Sequence, residues 1–204
     1  MNSTFEAIAD GIAEHGFAVT DHFLSPAEVF SILALPEFQE WLEHFKQAAI
    51  GNKRTLQINE AIRGDYIQWV DNNEAPHQLK VYLERLNELI QYLNRSLFLS
   101  LKDFEVHLTV YPTGSFYKRH LDQFSRDDHR KLSVICYLNE GWDDHYGGQL
   151  RLFLSEKVVE LLPASGRLVC FRSDMIEHEV LPATRPRMSI TGWILDQHVS
   201  LKHL

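Results

Sequence analysis

The chain has 204 residues, enough for one domain with a substantial core, and its 45% hydrophobic and 24% charged content is ordinary for a globular protein. A formal net charge of −8, with no run rich in Lys and Arg, argues against a protein that grips a phosphate backbone. No apolar stretch approaches the roughly 20 residues of a membrane helix, so neither nucleic acid nor a membrane is expected as a partner.

The opening residues MNSTFEAIAD carry no basic segment followed by an apolar one, so no secretory signal is expected. Residues 4–15 place Phe5, Ile8, Ala9 and Ile12 at helical spacing, with Gly16 as a stop. GFAVTDHF reads as a short strand. Ser25-Pro26 opens a second helix, with Ser25 as N-cap and Glu28 three residues on. Residues 53–71 read as a loop and then a strand. A third helix covers about 77–98, with Leu79, Leu83, Leu86, Ile90 and Leu93 on one face.

From Phe104 the texture changes to short strands: FEVHLTVY, SFYKRHLD, KLSVICYLN, QLRLFL, KVVELLP, GRLVCFR, HEVLP and MSITGWIL. Turn residues such as Pro112-Thr113-Gly114, Gly147-Gly148 and Ser165-Gly166 separate them. The strands lie too close together for helical crossovers, which excludes a parallel α/β sheet. The expected fold is therefore mainly β with N-terminal helices (α+β): a double-stranded β-helix, or jelly roll, braced by helices on one sheet. A single catalytic domain over 1–204 is expected, with 1–100 as helical support and lid region and 101–196 as the jelly-roll core. The two cysteines, Cys136 and Cys170, sit in strand-like runs without CxxC spacing and read as reduced core thiols, which suits the cytoplasm.

SFYKRHLD ends on His120-Leu121-Asp122. Residues two apart on a strand share a face, so an imidazole and a carboxylate are presented together. They make two thirds of a facial triad, which leaves open positions on a non-haem iron(II) ion. Alone, such a pair reads as a solvated strand end. His178, at the start of HEVLP, is the candidate third ligand. Arg187 follows nine residues later and leads the strand RMSITGW. Its guanidinium can take a dicarboxylate bidentately while the other end of that molecule sits on the metal. His107, His129 and His145 have no second ligand at suitable spacing and read as structural.

On the runs IRGDYIQWV (62–70), YPTGSFYKRHLD (111–122), CYLNEGW (136–142), GGQLRLF (147–153) and HEVLPATRPRMSITGW (178–193), the chain resembles the hypoxia-inducible-factor-type prolyl hydroxylases, especially their bacterial relatives. The resemblance implies iron(II) on His120, Asp122 and His178, with 2-oxoglutarate and dioxygen as co-substrates and ascorbate as a reductant. It implies that Arg187 and Tyr137 hold the 5-carboxylate of 2-oxoglutarate, with Tyr111 near its metal-binding end and Thr191 close by. On the residues alone, each tyrosine reads as a core aromatic with its hydroxyl at the rim. Residues 51–60 would form the mobile part of a lid. Arg63 and Asp65 match polar residues at the substrate entrance, and an ion pair between Asp65 and Arg130 is expected. Tyr117 and Trp193 would line the substrate pocket; Trp193 also reads as a core residue.

The implied reaction is hydroxylation of a prolyl residue in a protein, coupled to decarboxylation of 2-oxoglutarate to succinate and CO2. Elongation factor Tu is the substrate suggested by family analogy, and a monomer is expected. Two other readings stay open: a 2-oxoglutarate oxygenase acting on a small molecule or another side chain, and a metal-binding sensing module without turnover.

Overall fold

The computed structural model describes residues 2–49, 57–123 and 128–198. Helix α1 (Asn2–His15) leads into β1 (Phe17–Thr20), and α2 (Pro26–Leu33) follows. Two single-turn helices, α3 (Pro36–Gln39) and α4 (Trp41–His44), precede β2 (Lys46–Gln47) and β3 (Tyr66–Trp69). The long helix α5 (His77–Leu97) ends the helical half. The strands β4 (Asp103–Tyr111), β5 (Tyr117–His120), β6 (Arg130–Tyr137), β7 (Leu150–Phe153), β8 (Val158–Leu161), β9 (Leu168–Arg172), β10 (Glu177–Val180) and β11 (Arg187–Leu195) complete the fold.

All eight expected strands after residue 100 are present. They form two antiparallel sheets, the larger in the order β1-β9-β6-β11-β4-β3-β2 and the smaller β5-β10-β7-β8. This is the expected jelly roll, helices and all. The two halves of the chain are not separate layers, however. Strands β1, β2 and β3 come from the first 100 residues and extend both edges of the larger sheet.

Alternation along the strands divides the interior. On β4, Val106, Leu108 and Val110 point outward into the layer shared with the helices, together with Leu132, Val134 and Ile190. His107, Thr109 and Tyr111 take the opposite face and look between the sheets. Helix α5 supplies the other side of the outer layer: Leu79, Leu83, Leu86, Ile90 and Leu93, the expected stripe, are all buried. Each such leucine contributes about 1.5–3 kcal/mol by leaving water. The capping box on α2 forms as its sequence predicts. Ser25 Oγ accepts from the Glu28 N–H, and the Glu28 carboxylate accepts from the Ser25 N–H at 2.7 Å. The same carboxylate takes a two-pronged contact from Arg85 of α5 at 2.6 and 2.9 Å, which ties α2 to the long helix.

Candidate metal centre

Strands β5 and β10 pair so that His120 and His178 stand directly opposite one another. Asp122 lies two residues beyond His120, where the chain leaves β5. Ligand atoms of the three side chains fall within 4.8 Å of one another. His120 Nε2 lies 3.4 Å from one carboxylate oxygen of Asp122, and His178 Nε2 lies 3.6 Å from the other. Both imidazoles use Nδ1 on the backbone: His120 with the Lys118 carbonyl at 2.7 Å and His178 with the Ile176 carbonyl at 3.3 Å. A carbonyl accepts only, so each Nδ1 carries a proton, and each Nε2 is the ring atom turned to the corner where a cation would bind.

The carboxylate is held as firmly. Ser133 Oγ donates to Asp122 Oδ2 at 2.7 Å, and Ser133 and Ser173 join their hydroxyls at 2.9 Å behind it. Burial alone would raise the Asp122 pKa. The neighbouring His178 and His120, with the Ser133 hydroxyl, outweigh this and keep it well below the usual carboxylate range. Burial pushes His178 down to about 4, against the pull of Asp122, so it is neutral near pH 7. Two imidazoles and one carboxylate on one corner, with no fourth protein donor among the described residues, fit an iron(II) site with open positions.

A cavity of about 700 Å³ opens from this corner between the sheets. At its inner end is Arg187, only 1% exposed. Its Nε donates to the Gly148 carbonyl at 2.9 Å and one Nη to the Tyr137 hydroxyl at 3.3 Å. The rings of Tyr111 and Tyr137 flank the guanidinium at about 5 Å. Among the described residues no carboxylate pairs with Arg187. A buried cation without a counter-ion is costly, and a dicarboxylate bound in the cavity would supply one. Gly148 makes this approach possible. It sits at φ +73°, and a Cβ there would lie 3.1 Å from Trp142 and 3.4 Å from Arg187 itself. Burial raises the pKa of both tyrosines, which keeps them as hydroxyl donors.

Tyr117, Trp193 and Thr191 all line the cavity, as do Arg63, Asp65 and Arg130. The ion pair expected between Asp65 and Arg130 does not form. Asp65 is buried against Arg63, with contacts of 2.7 and 2.5 Å, and Arg130 pairs with Glu105 at 2.8 Å while lying over the Trp193 ring. The reason is strand order. Leu195 pairs with Arg130 and Trp193 with Glu105, so β11 brings the two charges together across the Trp193 ring. Of the expected lid, residues 51–56 lie outside the described residues. His129 and His145 pair with Asp196 and Asp143 and stay away from the corner.

His107 is no part of the metal cluster, but it does line the cavity, between Trp69 and Trp193. Its Nδ1 meets Thr109 Oγ1 at 2.8 Å. Sequence reasoning missed His107, Thr109, Trp69, Ser133 and Ser173. The period of two along β4 carried a signal for the first two, since both share a face with Tyr111.

Residues 106–195 match the family model described as the 2OG-Fe(II) oxygenase superfamily, the class that the jelly roll and its His-Asp-His corner define. A solved Pseudomonas putida prolyl-4-hydroxylase is 40% identical, with a TM-score of 0.85 over 95% of this chain and all of that one. A Trichoplax adhaerens prolyl hydroxylase, solved with a peptide fragment of the hypoxia inducible factor oxygen degradation domain, is 29% identical. Its TM-score is 0.82, over 95% of this chain and 90% of that one. Prolyl hydroxylase EGLN3 of Mus musculus is 29% identical over 94% of this chain and 83% of its own length. The chain belongs to the iron(II)- and 2-oxoglutarate-dependent prolyl hydroxylase family.

Proposed function

We propose that the protein hydroxylates a prolyl residue in a polypeptide and converts 2-oxoglutarate to succinate and CO2 in the same turnover. The observation that carries this reading is the pairing of two features in one cavity: a three-ligand corner and a buried guanidinium that no carboxylate among the described residues pairs with. They match the two ends of a 2-oxo dicarboxylic acid.

His120, Asp122 and His178 would hold iron(II). When bound, the metal supplies the place where dioxygen and 2-oxoglutarate react and where the oxidising power for a C–H bond arises. The protein's own residues bind and orient. Arg187 and the Tyr137 hydroxyl take the 5-carboxylate through charge-assisted hydrogen bonds. Tyr111, opposite Arg187 in the β4–β11 register, offers its hydroxyl near the metal-side end of the co-substrate. Thr191 adds a hydroxyl on the same wall, 3.1 Å from that of Ser189. Ile135 and Val180, buried and apolar, line the cavity and help keep water from the reacting atoms.

On the substrate side, Arg63, Asp65, Tyr117, Arg130 and Trp193 border the cavity, and Trp69 and Leu121 expose apolar surface at its edge. Flat aromatic surface of this kind suits a proline ring and its flanking chain. The Trichoplax relative's peptide complex supports a polypeptide substrate. Elongation factor Tu is the first candidate to test. A monomer in the cytoplasm, ascorbate as reductant, and no nucleic-acid or membrane partner complete the proposal. Among the described residues no helix is long and apolar enough to cross a membrane.

Succinate release is expected to rise with a proline-containing polypeptide, which gains one oxygen on that proline by mass spectrometry. A proline-to-alanine version that stimulates equally well contradicts the proposal.

A further inference from the structure

His120 is held on two sides. In its ring plane, Nδ1 meets the Lys118 carbonyl. On its face lies Tyr117, with ring centroids 3.6 Å apart and planes only 16° from parallel. The guanidinium carbon of Arg63 sits 4.3 Å over the same phenol ring. One face of a ring cannot hold both groups at these separations, so Tyr117 is sandwiched: guanidinium, phenol, imidazole. A cation over an electron-rich ring is attracted to it, and more strongly when water is excluded.

Arg63 is itself fixed. Its Nε and Nη2 grip Asp65, which is 1% exposed, and its Nη1 donates to the Ala49 carbonyl at 3.3 Å. The backbone of this segment is bonded to β5. Arg63 and Tyr117 form an antiparallel bridge, the Gly64 N–H donates to the Phe116 carbonyl, and the Lys118 N–H donates to the Ile62 carbonyl. The approach is so close that a Cβ on Gly64 would lie 2.5 Å from Ser115 Oγ.

We propose that Tyr117 and Arg63 are positioning residues for His120, setting its ring plane so that Nε2 is aimed at the metal, and that the Arg63–Asp65 pair acts on the metal through this stack. The proposal rests on the reading of the His-Asp-His corner as an iron site. A contact made by a substrate with Arg63 or Asp65 is then transmitted to a metal ligand through one aromatic ring.

The test is an anaerobic titration of the purified protein with ferrous iron and 2-oxoglutarate. It reads the dissociation constant and the visible charge-transfer band of the ferrous complex. The native protein takes up one ferrous ion; its failure to do so defeats the iron reading itself, before any variant is considered. Tyr117→Phe keeps the stack and is expected to match the native protein. Tyr117→Leu removes the stack and is expected to bind iron about tenfold more weakly, with a shifted band. The double variant Arg63→Met/Asp65→Asn removes the guanidinium without leaving a buried charge alone, and shifts both readouts in the same direction. Native-like affinity and band in Tyr117→Leu overturn the proposal, even if its melting temperature falls. An equal loss in Tyr117→Phe also overturns it, because the hydroxyl and not the stack would then be responsible. Should the leucine variant not fold, the double variant decides by the same criterion.

Discussion

His120 and His178 face each other as a direct cross-strand pair in the β5–β10 ladder, with ring centroids 4.2 Å apart. Two residues far apart in the chain become neighbours because two short strands pair in one register. A slip of one residue would turn His178 to the other face of its sheet and dissolve the corner. Asp122, beyond the end of β5, closes the triangle.

Asp122→Ala is expected to abolish ferrous binding and reduce succinate formation to background. The Ser133 hydroxyl keeps its contact with Ser173, so the fold should survive. Circular dichroism and a ferrous titration of the same sample check both halves.

Ser133→Ala removes the hydrogen bond to Asp122 Oδ2 and leaves the ligand free to rotate. Iron affinity should fall about 10–100-fold, with a smaller loss for Ser173→Ala, which touches the carboxylate only through Ser133. Equal affinity across the native protein and both variants would show that the hydroxyl pair is only core packing.

Arg187→Lys keeps the charge and loses the planar fork. Loss of one charge-assisted hydrogen bond is worth about 1.5–3 kcal/mol, so the KM for 2-oxoglutarate should rise roughly 10–100-fold. Gly148→Ala should shift the same constant without touching the guanidinium. Its φ of +73° and the crowding at Trp142 and Arg187 force the loop to move. Initial rates at varied 2-oxoglutarate check both.

Much of this was legible from the chain. The spacing of His120 and Asp122 pointed to both ligands, although the strand ends at His120 and Asp122 reaches the corner from the residues just beyond it. The leucine stripe of α5 and the Ser25–Glu28 cap are local patterns, and local patterns survive folding. Contacts set by strand order were not legible. The Arg130–Glu105 pair depends on β11 lying between β6 and β4, which spacing along the chain does not reveal. Ser133 and Ser173 read as ordinary strand residues until β6 and β9 are placed side by side. His107 shares the inner face of β4 with Tyr111, but its packing against Trp69 depends on β3 joining the sheet beside β4.

The metal-free protein should lose stability as acid is added, beginning near neutrality. His107 and His178 are both held down to about 4 by burial, with Arg63 adding to the effect at His107 and His120 at His178. Unfolded histidine titrates at about 6.5. Between these values the unfolded chain binds protons that the folded chain refuses, so stability is full above about pH 6.5 and falls toward pH 4. Each site contributes up to roughly 3 kcal/mol to that fall. Asp122, held low, adds its own loss only below its unfolded pKa of about 3.9. Thermal melts from pH 7 to pH 4 should show a shallower decline for His107→Gln than for the native protein.

The central claim is that the corner and the buried guanidinium hold the two ends of one co-substrate. A crystal structure with manganese(II) and a 2-oxoglutarate analogue, grown without oxygen, tests it most directly. The metal should sit on His120 Nε2, Asp122 and His178 Nε2, with the far carboxylate of the analogue on Arg187 and Tyr137. A metal bound elsewhere, or an analogue that leaves Arg187 untouched, would contradict the account.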